Sequence, residues 1–198
     1  MSRTSARSEP AAVAATGLEP LLRFNRQVID QALDLVAAHC EPGAPDYACP
    51  VGAHLRHVIE HFEALLFPAV PGVVDYDARA RDTELERSPV LAQQRLRVLR
   101  DALSAAAPAS LAKALQVRGQ GGLGGDFHFS VPSTLGRELV FVASHAIHHF
   151  ALLQAHCKQH GLATGDTFGK APSTVAHERA QLGDLASASS SPSQKEFA

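Results

Sequence analysis

RELVFVASHAIHHFALLQAHCKQH, residues 137–160, carries its apolar side chains at helical spacing and contains no proline or glycine to interrupt a helix. At about 100° per residue, Glu138, His145, His149 and His156 fall within about 40° of one another. Phe141, Val142, Leu152 and Leu153 flank them, so the histidines divide the apolar stripe instead of edging it. Imidazoles placed in a bundle interior cost free energy unless each nitrogen finds a partner. For His145 and His149, at spacing i, i+4, one metal ion is a partner that serves both, because their rings sit one turn apart and can converge. His148 points about 80° away from that centre and is excluded from the ligand set.

Three further helical segments surround this one. From about Glu19, LLRFNRQVIDQALDLVAAH sets Leu21, Phe24, Val28, Ala32, Leu35 and Val36 on one face, with Arg23, Arg26, Asp30 and Asp34 opposite. Asn25 and His39 stand on its apolar side. CEPGAPDYACP breaks that helix, and a second runs from about Val51 to Phe67, stopped by Pro68 and Pro71–Gly72. VVDYDARARDTELER reads as an extended, solvated loop. Ser88–Pro89 then opens a third helix ending near Ala107. ALQVRGQGGLGGDFHFSVP has two short strand-like runs around a glycine-rich turn, which predicts a small β-hairpin. GQGGLGG lacks the lysine of a phosphate-binding loop. Ser133 or Thr134 caps the fourth helix. The expected architecture is all-α, a four-helix bundle with a β-hairpin or extended insertion between helices 3 and 4. Residues 1–17 read as a flexible leader, 18–175 as the bundle domain and 176–198 as a low-complexity, disordered tail.

Composition narrows the function. The formal charge of −2, from 18 basic and 20 acidic side chains, gives no electrostatic footprint for nucleic acid. No apolar run approaches the roughly 18 residues of a membrane helix, and no secretory signal is evident, so the expected location is the cytoplasm. Cys40, Cys49 and Cys157 are an odd, scattered set that argues against a disulfide framework. Nine of the 11 histidines concentrate in two regions, which draws attention to acid–base or metal chemistry.

A metal held by His145 and His149 alone would be incomplete, since catalytic sites commonly take three protein ligands plus water. VGAHLRHVIEHFEALLF supplies His54, His57 and His61 on one face, beside Leu55, Val58, Phe62 and Leu65. Helical geometry alone does not choose between His57 and His61, which are themselves i, i+4. His54 reads as a boundary histidine that bonds solvent or a neighbouring carboxylate.

The set GAHLRHVIEHFEALL, VDYDARARDTELER and PSTLGRELVFVASHAIHHFALL resembles the DinB superfamily (DinB/YfiT-like) of bacterial metal-binding four-helix bundles, over about Phe24 to Thr174. TFGKAPSTV resembles a segment that follows the bundle in relatives, implying an ordered extension to about Thr174. The resemblance implies a divalent transition metal, zinc or nickel, on one histidine of the second helix and an H-x-x-x-H pair on the last. By motif these are His57, His145 and His149, with His61 in reserve. It also implies a metal-dependent enzyme, a thiol-dependent transferase or hydrolase that takes a low-molecular-weight thiol or other small molecule, and a homodimer. The alternative is a non-catalytic metal-binding or stress-associated protein whose ion is structural or sensory.

Glu138, in the first turn of the fourth helix, has several possible roles: fourth ligand, acceptor for an imidazole N–H, general base, or a carboxylate favoured by the helix dipole.

Overall fold

The computed structural model describes residues 18–189. The expected leader, 1–17, and the end of the expected tail, 190–198, lie outside the described residues. Four helices form the bundle: α1 (Leu18–Ala38), α2 (Ala53–Leu66), α3 (Pro89–Ala105) and α4 (Leu135–Gln159). α1 packs on α3 and α4, and α2 packs on the same two, so α2 and α4 are neighbours. That adjacency brings the two histidine-bearing helices face to face. Between them and their partners lie fully buried Leu22, Ile29, Leu55, Ile59, Phe62, Leu96, Leu99 and Phe150. Each such side chain contributes about 1.5–3 kcal/mol by leaving water.

The helix ends follow the local chemistry. Ser88 Oγ accepts from the Leu91 N–H at 3.1 Å, with Pro89 at the first helical position of α3. Thr134, not Ser133, caps α4, accepting from the Arg137 N–H at 3.2 Å. Asn25 is wholly buried and donates through Nδ2 to the Leu21 carbonyl, 3.0 Å. His39 donates through Nδ1 to the Pro45 carbonyl, 3.1 Å, which tethers the end of α1 to the following loop.

A tight five-residue turn, Ala48–Gly52, leads into α2. Gly52 has no room for a side chain: a Cβ there would lie 1.9 Å from the Glu86 carbonyl oxygen. The segment before α3 is thus pressed against the start of α2, two residues from His54.

Two expectations need correction. The molecule is mostly helical but not a strict four-helix bundle. A three-stranded mixed sheet joins the helices, in the order β1 (Val73–Asp75), β2 (Ala114–Gly121), β3 (Phe127–Thr134). The hairpin β2–β3 is antiparallel as expected, with Val117 opposite Val131. β1 arises inside the segment read as a loop and pairs parallel to β2, Val74 opposite Val117. Such a short strand carries no legible alternation, and long-range pairing creates it. The second correction is a fifth helix, α5 (Pro172–Ser189), which runs where the sequence pattern places a low-complexity tail. Pro172 suits a first helical position, and the alanines, glutamate, glutamine and leucines beyond it have good helix propensity. Lys170 pairs with Glu178 of α5 at 2.7 Å.

β3 is exposed along nearly its whole length. Its Phe129 and Phe127 rings lie over Gly119 and Gly121, where a Cβ would meet them at 2.7 and 2.4 Å. Among the described residues no helix is long and apolar enough to cross a membrane.

Candidate metal centre

α2 and α4 present five histidines to one another. One ring nitrogen each from His57, His145 and His149 lie within 4.8 Å of one another. All three residues are half-buried. His57 Nε2 and His145 Nε2 are 2.9 Å apart. Two imidazole lone pairs cannot face each other at that distance without a proton or a cation between them. The ring centroids of the three lie 4.7–5.0 Å apart, and among the described residues no carboxylate joins the set.

The electrostatics favour neutral rings. Burial, then the neighbouring His61, Arg79 and His145, push the pKa of His57 down to about 3. Burial and the imidazoles of His145, His57 and His54 push His149 down to about 3 as well. His145 is lowered by burial first and by His148 second. Neutral imidazoles keep a lone pair for a metal at neutral pH, and such nitrogens hold zinc at about 2.0–2.1 Å.

His61, the competitor of His57, is engaged elsewhere. It is 5% exposed. Its Nδ1–H donates to the His57 carbonyl at 2.7 Å, and its Nε2 accepts from the Arg79 guanidinium at 2.8 Å. With both nitrogens committed, it has no lone pair to offer. Arg79 in turn lies 3.9 Å from Glu60, a buried carboxylate that also accepts the Asp82 N–H at 2.8 Å. The extended segment read as solvated surface therefore supplies a half-buried cation beside the histidines. Nothing in its alternating charges distinguishes Arg79 from Arg81 or Arg87.

Glu138 also departs from the roles considered for it as a ligand or base. It is 1% exposed, and its oxygens accept from Tyr76 Oη at 2.8 Å, Ser133 Oγ at 2.6 Å and Arg137 at 2.8 Å. Tyr76, which sequence reasoning treated as surface, is pushed up in pKa by burial and by this carboxylate. Its ring stacks on His61 at 5.4 Å and meets Phe141 at 5.2 Å, while Phe141 stacks on His145 at 5.7 Å. Glu138 thus anchors the aromatic wall of the histidine cluster. Phe141, Tyr76, Glu138 and Arg137, with Phe129 and Val131 of the hairpin, also line a cavity of about 360 Å³ next to that wall.

The remaining histidines divide. His54 lies against His149, Nδ1 to Nδ1 at 2.8 Å. His148 is exposed, as its angle predicts. His156 stands apart from the cluster and stacks on His39 at 6.2 Å, its Nε2 buried without a hydrogen-bond partner. Leu152, expected to flank the core stripe, is 55% exposed. The larger cavity, about 580 Å³, opens on the opposite side between α1, the 163–170 segment and α5, and takes in none of the three clustered histidines.

The protein is therefore a mostly helical bundle carrying a three-histidine cluster capable of coordinating a metal ion. No family model matches the chain, and no solved structure matches it. FK506-binding protein 5 of Rhizopus delemar (strain RA 99-880) is 31% identical over 109 residues, which are 55% of this chain and 28% of that protein. The chain thus covers 28% of that relative's length, too little for the likeness to carry the whole protein's activity.

Proposed function

We propose that this chain is a DinB-like metal-binding protein that holds one divalent transition-metal ion, zinc or nickel, on His57, His145 and His149. The single observation behind this reading is the approach of three imidazole nitrogens to within 4.8 Å of one another on two facing helices. Nitrogen donors suit both ions. An ion bound there with an open position lowers the pKa of a water or thiol placed on it. The rest is the work of the chain. His57, His145 and His149 stay neutral and present lone pairs. Phe141 and Tyr76 shield one side from solvent, and Glu138 holds Tyr76 in place. The cavity beyond that wall is lined by Tyr76, Arg137, Glu138 and Phe141 and by none of the three histidines, so a substrate would reach the ion from another side.

On this reading the protein is a metal-dependent transferase or hydrolase that works on a low-molecular-weight thiol or another small molecule. It is a cytoplasmic homodimer with its chemistry in one domain, 18–175. Metal analysis of protein purified without a nickel column, then reconstituted with zinc or nickel, tests the metal. About one ion per chain is expected, and less than about one-tenth of an ion overturns the reading, since such sites bind tightly. A screen of thiol donors with electrophiles, run with metal and after chelation, tests the chemistry. Metal-dependent turnover supports an enzyme.

A non-catalytic protein with a structural or sensory ion is the second reading, favoured by a ligand set that, among the described residues, includes no carboxylate. A structural ion makes the melting temperature fall steeply on chelation, whereas a catalytic one gives a small shift with lost activity.

A further inference from the structure

His54 contributes no nitrogen to the three-histidine set, yet its Nδ1 lies 2.8 Å from Nδ1 of His149, the rings edge to face with centroids 5.1 Å apart. Two neutral imidazoles make that contact in one way: one nitrogen carries the proton and the other offers its lone pair. Which is which follows from the rest of His149. With Nδ1 taken by His54, the nitrogen left for the cluster is Nε2. A neutral imidazole that gives its Nε2 lone pair to a cation carries its proton on Nδ1. His149 is then the donor and His54 the acceptor.

We propose that His54 is a positioning residue for the metal centre: its Nδ1 accepts the Nδ1–H of His149 and so fixes the tautomer and ring angle that aim His149 Nε2 at the ion. The inference rests on the three-histidine reading given above. The role is one that a carboxylate or backbone carbonyl fills in most metal sites. The two buried carboxylates, Glu60 and Glu138, are committed to other partners, Asp82 N–H and Arg79 for one and Tyr76, Ser133 and Arg137 for the other. The local fold holds His54 in place. It is the second residue of α2, two positions after Gly52, whose close approach to the Glu86 carbonyl holds the start of the helix. It also lies one turn from His57, so a single helical turn supplies both a ligand and the support of a ligand on the facing helix.

The experiment compares zinc dissociation constants, measured by competition with a chromophoric chelator, and cobalt absorption spectra for the full chain and four variants. His54→Phe keeps the ring volume and removes the acceptor. His54→Asn restores an oxygen acceptor, and His149→Ala and His57→Ala remove proposed ligands. His54→Phe is expected to weaken zinc binding about 10- to 100-fold, with a cobalt spectrum of unchanged ligand field, and His54→Asn to recover most of that loss. His149→Ala and His57→Ala are expected to lose far more. Far-ultraviolet circular dichroism of the metal-free variants checks that each is folded, and His54→Asn serves as the second probe if the phenylalanine variant is not. Wild-type affinity in His54→Phe overturns the positioning role while leaving the metal site standing. A loss equal to that of His149→Ala, with an altered cobalt spectrum, makes His54 a ligand and also overturns it. Absence of zinc from the wild-type chain overturns the underlying reading instead.

Discussion

The guanidinium of Arg79 donates to Nε2 of His61 across 2.8 Å, and this one contact separates two histidines that helical geometry leaves equivalent. His61 enters the wall of the cluster as an acceptor for arginine, while His57, one turn earlier, keeps its Nε2 directed at His145. His61→Ala is accordingly expected to keep the metal stoichiometry of the wild-type chain, whereas His57→Ala loses it. Equal loss in both variants would place His61 among the ligands.

Arg79→Ala removes that donor and leaves Glu60, 3% exposed, without its cation. Stranding a buried polar group costs about 1–3 kcal/mol. Urea denaturation is expected to show an unfolding free energy lowered by about that amount, and so a lower midpoint. An unchanged midpoint would mean that Glu60 is already satisfied by the Asp82 N–H.

The metal-free protein should lose stability in acid. Folded pKa values of about 3 for His57 and His149 and about 4 for His61 lie below the unfolded value of about 6.5. Between those limits the unfolded chain binds more protons, so stability rises with pH in this window. The contribution is complete above about pH 6.5 and disappears as pH falls toward about 4 and then about 3. Denaturant titrations of the apo protein at several pH values check this. His57→Gln should flatten the slope, and an equally steep slope in that variant would assign the acid sensitivity to other groups.

Tyr76→Phe deletes the phenol that donates to Glu138 at 2.8 Å. A hydrogen bond to a charged group contributes about 1.5–3 kcal/mol, and Ser133 and Arg137 remain to hold the carboxylate, so the lower end is expected. Zinc content should stay at the wild-type level. A loss of zinc alone, with stability unchanged, would mean that the phenol acts on the ion and not on the wall.

Gly52→Ala forces a Cβ into the Glu86 carbonyl. Overpacking of this kind costs about 1–3 kcal/mol, and the melting temperature should fall by several degrees. Retained melting temperature would show that the segment before α3 yields without penalty.

Much of this molecule is legible along the chain, and the illegible parts share a cause. Ser88–Pro89 and Pro68 mark helix ends by local chemistry, so α2 and α3 are found within two residues of their ends. His145 and His149 announce themselves because one helix holds both, and their angle to the core is fixed by its pitch. β1, the contact of Arg79 with His61 and the grip of Tyr76 on Glu138 depend on partners 43, 18 and 62 positions away. No window of local sequence encodes those meetings. The reading of His54 fails for the same reason, since its partner is 95 positions away on α4. The family resemblance chose His57 over His61, a choice that spacing could not make.

Glu60 and Glu138 are the buried acidic side chains of the described residues, and each is already matched by arginine and hydrogen-bond donors of the protein. Neither is free to offset charge among the histidines. A divalent ion held by three uncharged rings would therefore keep its full double positive charge in a partly dry setting. Such a site selects its fourth ligand by charge. Hydroxide, thiolate and carboxylate are held more tightly than water, a free thiol or an amine, whatever reaction follows.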